Sequence, residues 1–204
     1  MNKGLMEMNQ AYKIGLSSVG QDVTIWPQAK IVFPNTIFIG DSVIIDDFVF
    51  IMGGEKTIIG SFVHIASFTS VTGGGTFIME NFSGLSGGVR IYTGNEDYSG
   101  NYMTNPTVPS PYRIPSRSFV IIKKHVVIGA NTVILPGVTI GEGASIGANS
   151  LITKDCEPWT IYAGTPVKPL CKRSRERILE LEAQLCKELY DAESNYIPVK
   201  DRGN

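Results

Sequence analysis

The chain has only three cysteines, Cys156, Cys171 and Cys186, and only two histidines, His64 and His125. The cysteines are odd in number and show neither a CxxC pair nor zinc-ligand spacing, which argues against a disulfide framework or a structural zinc and for thiols kept reduced. No apolar run is long enough to span a bilayer, and residues 1–10 are polar with scattered Leu and Met instead of a signal-peptide core. A cytoplasmic protein without a membrane span is expected. An excess of one charge is also missing, since 18 basic residues face 19 acidic ones for a net charge of −1. Nothing global therefore advertises a nucleic-acid or membrane partner.

What the sequence does have is a repeat. Between residues 128 and 157 it reads IGANTV ILPGVT IGEGAS IGANSL ITKDCE, with Ile128, Ile134, Ile140, Ile146 and Ile152 recurring every sixth residue. Thr132, Val138, Ala144 and Ser150, all small or β-branched, stand four places after the first four isoleucines, and Gly129, Gly141 and Gly147 directly follow three of them. Neither a helix of period 3.6 nor a strand of period 2 keeps one aliphatic residue at every sixth place. A coil of short flat strands does, if each hexad forms one side, turns its isoleucine inward and places a small residue at the corner. The 22 glycines suit a fold with many corners.

The same rhythm starts at Val19, Ile25 and Ile31, slips by two near Pro34, resumes at Ile39, Ile45 and Ile51, and slips again across Gly53, Gly54, Glu55 and Lys56 to Ile59, Ile65 and Val71. Each slip predicts a corner that bulges outward. The next turn, from Ile78 through Phe82 to the glycines of GLSGGVR, reads as less regular. Residues 1–18 read as a weakly structured or helical lead-in.

Residues 93–118 break the rhythm with four prolines, three tyrosines and two arginines. A long aperiodic loop inside a regular coil is more often functional than decorative, so a projecting arm is expected here in preference to a disordered insertion. Beyond the coil, residues 172–192 read as a helix with Ile178, Leu181, Leu185 and Leu189 on one stripe. Its expected task is to cap or brace an end of the coil, which otherwise exposes unpaired backbone; binding a partner is the alternative. The predicted organisation is an all-β coil domain over residues 1–171, carrying the arm 93–118, and a C-terminal helix and tail over 172–204.

The run IGANTVILPGVTIGEGASIGANSLITKDCEPWTIYAGTPVKPL resembles the carboxy-terminal signature of the hexapeptide-repeat acyltransferases. That resemblance, which covers residues 19–173, implies a left-handed parallel β-helix, an exception to the right-handed crossover rule. It also implies a homotrimer with active sites between subunits and acetyl-CoA or another acyl thioester as co-substrate. GSFVHIASFTS and GLSGGVRIYTGNEDYSGNYMTNPTVP further resemble sugar acetyltransferases of surface-polysaccharide pathways, in particular nucleotide-sugar N-acetyltransferases of the kind acting on dTDP-4-amino-4,6-dideoxyglucose. Saccharide O-acetyltransferases are a near alternative, and a non-catalytic β-helix assembly module is an alternative of another class.

Acyl transfer needs a base for the nucleophile's proton and donors for the tetrahedral oxyanion. With no serine elbow and no metal-ligand cluster in the sequence, direct transfer without an acyl-enzyme or a metal is expected. His64, at the outward last place of its hexad, is the first candidate base; His125, beside Lys123 and Lys124, reads as a solvated residue or a local hydrogen-bonder. In galactoside and related acetyltransferases a TGH triplet supplies the base at the start of the loop, whereas this chain reads Thr93, Gly94, Asn95. Asp97, Glu96 and then Glu55 follow His64 in rank, each with the plain reading of a loop carboxylate that caps nearby amides.

For the coenzyme, the resemblance points to Gly129, Ala130 and Ala148 and to Thr153 and Lys154 of the ITKD corner. Lys154, Lys168, Lys172 and Arg173 are its candidates for the adenosine phosphates. On the acceptor side, Arg90, Arg113 and Arg117 suit a diphosphate. Tyr92, Tyr98, Tyr102, Tyr112 and Asn95 suit a base or sugar. The same residues equally suit holding the arm onto a neighbouring subunit. Trp159 is expected to pack at the last corner.

Overall fold

A computed structural model describes residues 14–199. The expected lead-in falls largely outside that range. Three parallel sheets form the sides of one coil. The first contains Ser18–Val19, Ile37–Ile39, Lys56–Ile59, Thr76–Met79, Phe119–Ile122 and Val138–Ile140. The second runs Thr24–Ile25, Ile44–Ile45, His64–Ile65, Gly84–Leu85, Val127–Ile128, Ser145–Ile146, Thr160–Gly164 and Val167–Lys172, and the third Lys30–Val32, Phe50–Met52, Ser70–Thr72, Arg90–Tyr92, Val133–Ile134 and Leu151–Ile152. Every strand lies beside its equivalent one coil earlier and one coil later, so the repeat of the sequence becomes the repeat of a parallel β-helix.

The inward residues are the predicted ones. Ile25, Ile45, Ile51, Ile59, Ile65, Ile128, Ile134, Ile140 and Ile152 are buried and stack in columns, with Thr69, Thr132, Ala144 and Ser150 buried beside them at the corners. The turn that reads as irregular is in fact in step. Met79, Leu85 and Ile91 occupy its three inward places, all buried, while Ile78 points outward between Ile58 and Ile121. A hexad accepts any apolar side chain of suitable volume, so an isoleucine search passes over methionine and leucine. Both slips fall at one corner, between the third and first sheets. The 3-10 turn Pro34–Thr36 takes up one and Gly53–Glu55 the other, and the arm leaves from the same corner two coils later. The early coils accordingly place Ile44 beside His64, a repeat of 20 residues, and the late ones Val127 beside Ser145, a repeat of 18.

The corner between the first and second sheets is built from left-handed residues in register: Asp22, Ser42, Phe62, Phe82, His125, Gly143 and Trp159 all have positive φ. Each amide from Ser42 onward donates to a carbonyl one coil below, as in Phe62 N to Asp41 O and Phe82 N to Ser61 O. Beside this column, Asp41, Ser61 and Asn81 accept the amides of Gln21, Asp41 and Ser61 with their side-chain oxygens. The rings stack as well. Phe62 lies 4.9 Å from Phe82, and Phe82 lies 5.4 Å from His125, both nearly parallel. Trp159 closes the column at the last corner, and only glycine fits at Gly143 because a Cβ there would lie 2.4 Å from the indole.

Two expectations about the C-terminal segment are corrected. Residues 167–172 are the strand Val167–Lys172, paired antiparallel with Thr160–Gly164, so a boundary at 171/172 cuts a strand. The helix α1 is Glu176–Leu189. It does not close the coil's end but lies along the corner just described. Glu182 is within 2.8 Å of His125 Nε2 and pairs with Lys124, and the tail continues to Asp22, whose carboxylate accepts Tyr196 Oη at 2.9 Å and Val199 N at 2.8 Å. Of the predicted stripe Leu189 is buried, whereas Leu181 and Leu185 are exposed. A carboxylate aimed at a buried histidine sets the helix's rotation, which hydrophobic periodicity does not report.

Candidate active site at the arm and the second sheet

The arm is anchored before it projects. The buried Thr93 hydroxyl donates to Thr72 O at 2.9 Å and accepts Gly75 N at 2.9 Å, while Ser118 N donates to Thr93 O at 2.7 Å. Gly94–Asn95 and Ser116–Arg117 then form a short antiparallel ribbon. Arg117 folds back so that Nη1 donates to Gly73 O at 2.9 Å, packing against Gly74, whose φ of 72° favours glycine at this corner. Arg113 Nε donates to both oxygens of Glu96, at 3.0 and 2.9 Å, a forked pair across the ribbon. The carboxylate holds the guanidinium pKa above its ordinary value.

Between ribbon and coil lies a cavity of about 410 Å³. Its walls bring together Tyr92, Asn95, Tyr98, Arg113 and Arg117, five of the eight residues suggested from sequence for the acceptor, together with Glu96, one of the candidate bases. Met52 and Thr72 also line it and carry no sequence signal, because they enter through the stacking of coils. Arg90 stands apart at the opposite edge of the third sheet, bonded to the carbonyls of Phe68 and Gly88. Tyr102 and Tyr112 are exposed along the arm.

The candidate bases separate. Asp97 accepts Ser99 Oγ at 2.6 Å, Ser99 N at 2.9 Å and Tyr102 N at 2.8 Å. The Ser99 hydroxyl above all, helped by these amides, pulls its pKa down to about 2. Such a carboxylate organises the arm and takes up protons poorly at neutral pH, which counts against its rank as a base. Glu96 has both oxygens engaged by Arg113. Glu55 is exposed at the corner below the arm, its amide donating to Gly74 O at 3.1 Å.

His64 is exposed on the outer face of the second sheet, with Nε2 3.1 Å from Asp46 Oδ2. Donation from Nε2 to the carboxylate leaves Nδ1 as the acceptor nitrogen, the arrangement of an oriented general base. Asp46 escapes the sequence reading, although the coil repeat that sets Ile44 beside His64 also brings Asp46 within reach. The adjoining Gly84 leaves open space next to the ring. His64 does not line the arm cavity of its own chain, because the two belong to different sides of the coil.

His125 is buried, not solvated, and serves to dock α1. Burial works to raise the Glu182 pKa, but hydrogen bonds from Lys124 and His125 and their charge bring it below the usual value. The coenzyme candidates are scattered. Gly129, Ala130 and Ala148 stack at the corner between the second and third sheets, and Lys168 lies across from Ala163 near that corner. Thr153 and Lys154 are exposed beyond the third sheet, and Lys172 Nζ donates to Thr160 Oγ1 at 2.9 Å beside a cleft of about 440 Å³ at the coil's end. Arg173 is committed elsewhere. Its Nη1 donates to His125 O and Gly143 O, both at 2.9 Å, and burial lowers its pKa.

Residues 119–154 match the bacterial transferase hexapeptide (six repeats) family. Over 175 residues, 85% of this chain and 91% of the relative, the chain is 43% identical to the dTDP-4-amino-4,6-dideoxy-D-glucose acyltransferase of Escherichia coli. It belongs to the hexapeptide-repeat acyltransferases, and it is an enzyme of that class. Within them it is similar to AntD, an N-acyltransferase from Bacillus cereus. The AntD complex with dTDP and 3-hydroxybutyryl-CoA is 40% identical, covers 92% of this chain and 98% of its own, and superposes with a TM-score of 0.85. A substituted AntD bound to dTDP-4-amino-4,6-dideoxyglucose and coenzyme A is 39% identical, covers 92% and 99%, and gives 0.86.

Proposed function

We propose that this chain transfers an acyl group from a CoA thioester to the amino group of a dTDP-linked amino-dideoxyglucose, for surface-polysaccharide synthesis in the cytoplasm. The observation that carries this reading is the arm cavity, where tyrosines, an asparagine and arginines gather around one carboxylate in a chain similar to enzymes seen with dTDP and coenzyme A. The amine lone pair attacks the thioester carbonyl, the C–S bond breaks as the tetrahedral adduct collapses, and the proton shed by nitrogen passes to His64 Nδ1. Asp46 orients that ring. The acyl group stays open between acetyl and a short hydroxyacyl, since one AntD complex holds 3-hydroxybutyryl-CoA.

His64 and the arm cavity face different ways on one chain. A site that uses both is therefore built by two chains, which supports a homotrimer with active sites between subunits. A hydroxyl acceptor remains the second reading, because a histidine oriented by a carboxylate is what a hydroxyl needs more than an amine does. Thiol release from acetyl-CoA and 3-hydroxybutyryl-CoA, measured with dTDP-4-amino-4,6-dideoxyglucose and with plain saccharides, separates the two. The expected result is release with the amino sugar alone; release only with saccharides sinks the N-acyl reading. Mixing His64→Ala with Arg113→Ala subunits tests the shared site. Partial recovery of turnover from two inactive parents is expected, and none is expected if each chain works alone.

A further inference from the structure

The corner between the first and second sheets is bonded in one direction. From Ser42 onward each left-handed residue gives its amide to the coil below: Ser42 N to Gln21 O at 2.8 Å, Phe62 N to Asp41 O at 2.9 Å, Phe82 N to Ser61 O at 3.0 Å and His125 N to Asn81 O at 3.3 Å. Asp22 is the first member of that column, left-handed at φ 54°. Among the described residues no strand lies below its coil, because Ser18–Val19, Thr24–Ile25 and Lys30–Val32 each end their sheet. In an array held by nearest neighbours an end repeat has one interface where the others have two, so it opens first.

The tail gives this end coil a second support, from the side. Its path starts at the late coils, where Arg173 Nη1 holds Gly143 O and His125 O, and continues with Glu182 of α1 against His125. Tyr196 then lies edge-on to Phe62 at 5.7 Å and donates its hydroxyl to Asp22 Oδ2 at 2.9 Å, and Val199 N donates to the same oxygen at 2.8 Å. The column from Asp22 to Trp159 has seven places, about 29 Å at the ordinary spacing of strands. The 14 residues of α1 cover about 21 Å of it. A preformed turn bridges the rest. Asp191 accepts the amides of Asn195 and Glu193 at 2.7 and 3.0 Å, Tyr190 pairs with Tyr196, and Ile197 N donates to Leu189 O at 2.8 Å. These bonds fix Tyr196 relative to α1, so little ordering is left to lose when the tail meets Asp22.

We infer that the tail is a latch on the first coil, and that residues 18–32 stay closed only while Tyr196 and Val199 hold Asp22. A latch on that coil is favoured over a general brace of the corner because two donors of the tail converge on one carboxylate oxygen, in the coil that has a single neighbouring coil. The consequence reaches the arm cavity. Lys30–Val32 is the lower neighbour of Phe50–Met52, and Met52 lines the cavity, so an open first coil leaves that wall supported on one side only.

The test is native-state hydrogen exchange on the full chain, read by mass spectrometry, with two variants and their combination. Tyr196→Phe keeps the ring on Phe62 and removes only the donated hydroxyl. Asp22→Gly removes the acceptor of both bonds while suiting the left-handed backbone, which guards against misfolding. Amides of residues 18–32 are expected to exchange about tenfold faster in Tyr196→Phe and about thirtyfold faster in Asp22→Gly. Residues 50–52 should follow by about threefold, and residues 127–152 should stay within about twofold of the parent, because the loss passes from neighbour to neighbour. Adding Tyr196→Phe to Asp22→Gly should change little further, since both act on one contact. Unchanged exchange of residues 18–32 in both variants overturns the latch. Equal acceleration in every coil overturns it in favour of a general brace, and effects that simply multiply in the combined variant show that Tyr196 does not act through Asp22.

Discussion

From Leu85 to Ile128 to Ile146, each inward side chain of the coil rests on an equivalent one below and carries another above. The arm between those coils has no such column. It is held by a forked ion pair, Glu96 with Arg113, by a carboxylate that gathers its own loop, Asp97, and by two bonds of Thr93 at its base. Stability in the coil is shared among many interchangeable apolar contacts, while in the arm it depends on a few polar pairs whose geometry also shapes the cavity. Damage to the coil should appear as lost stability, and damage to the arm as lost function in a protein that stays folded.

The largest effect is expected from Ile128→Ala, which leaves a cavity at a fully buried position and should cost about 2–5 kcal/mol. Denaturant titration should show that loss; less than about 1 kcal/mol would mean that neighbouring coils collapse into the gap. Next comes His125→Ala, which removes a stacked ring and leaves Glu182 with Lys124 alone, for about 1–3 kcal/mol. Hydrogen exchange should then speed up in α1 and the tail, with the strands of the later coils little changed.

Arg113→Ala should leave the denaturation midpoint of the coil where it is and reduce acyl transfer at least about tenfold, with limited proteolysis reaching the arm sooner. Equal loss of stability and activity would erase the distinction between the two regions. The smallest effect is a matter of pH. Asp97 is depressed from 3.8 to about 2 in the folded arm, so its contribution is complete above the unfolded value and disappears as pH falls through the folded one. Cleavage within residues 93–118 by an acid protease should therefore accelerate between about pH 4 and 2, and Asp97→Asn should abolish that dependence.

Much of this division was legible beforehand. The hexads named the buried column, the slips named a bulging corner, and the break in rhythm bounded the arm, because a period records which way each side chain faces. Less was legible of the site. The arginines and tyrosines were visible as residue types, yet Arg113 and Arg117 go to the cavity while Arg90 goes to another corner, and Asp46 joins His64 only through coil stacking.

By itself, then, the sequence determined a β-helix with an isoleucine-rich core, an arm and a helix, since inward and outward positions are local facts repeated often enough to be read. Only the tertiary structure decided which corner α1 would cover, that Arg173 would hold carbonyls instead of standing free, and that Phe48 and Phe68 would stay bare. Those outcomes depend on partners such as Tyr196 and Asp22, 174 residues apart, with no period to announce them. Their meeting is fixed by the pitch of the coil and the path of the tail, which exist only once the chain has folded.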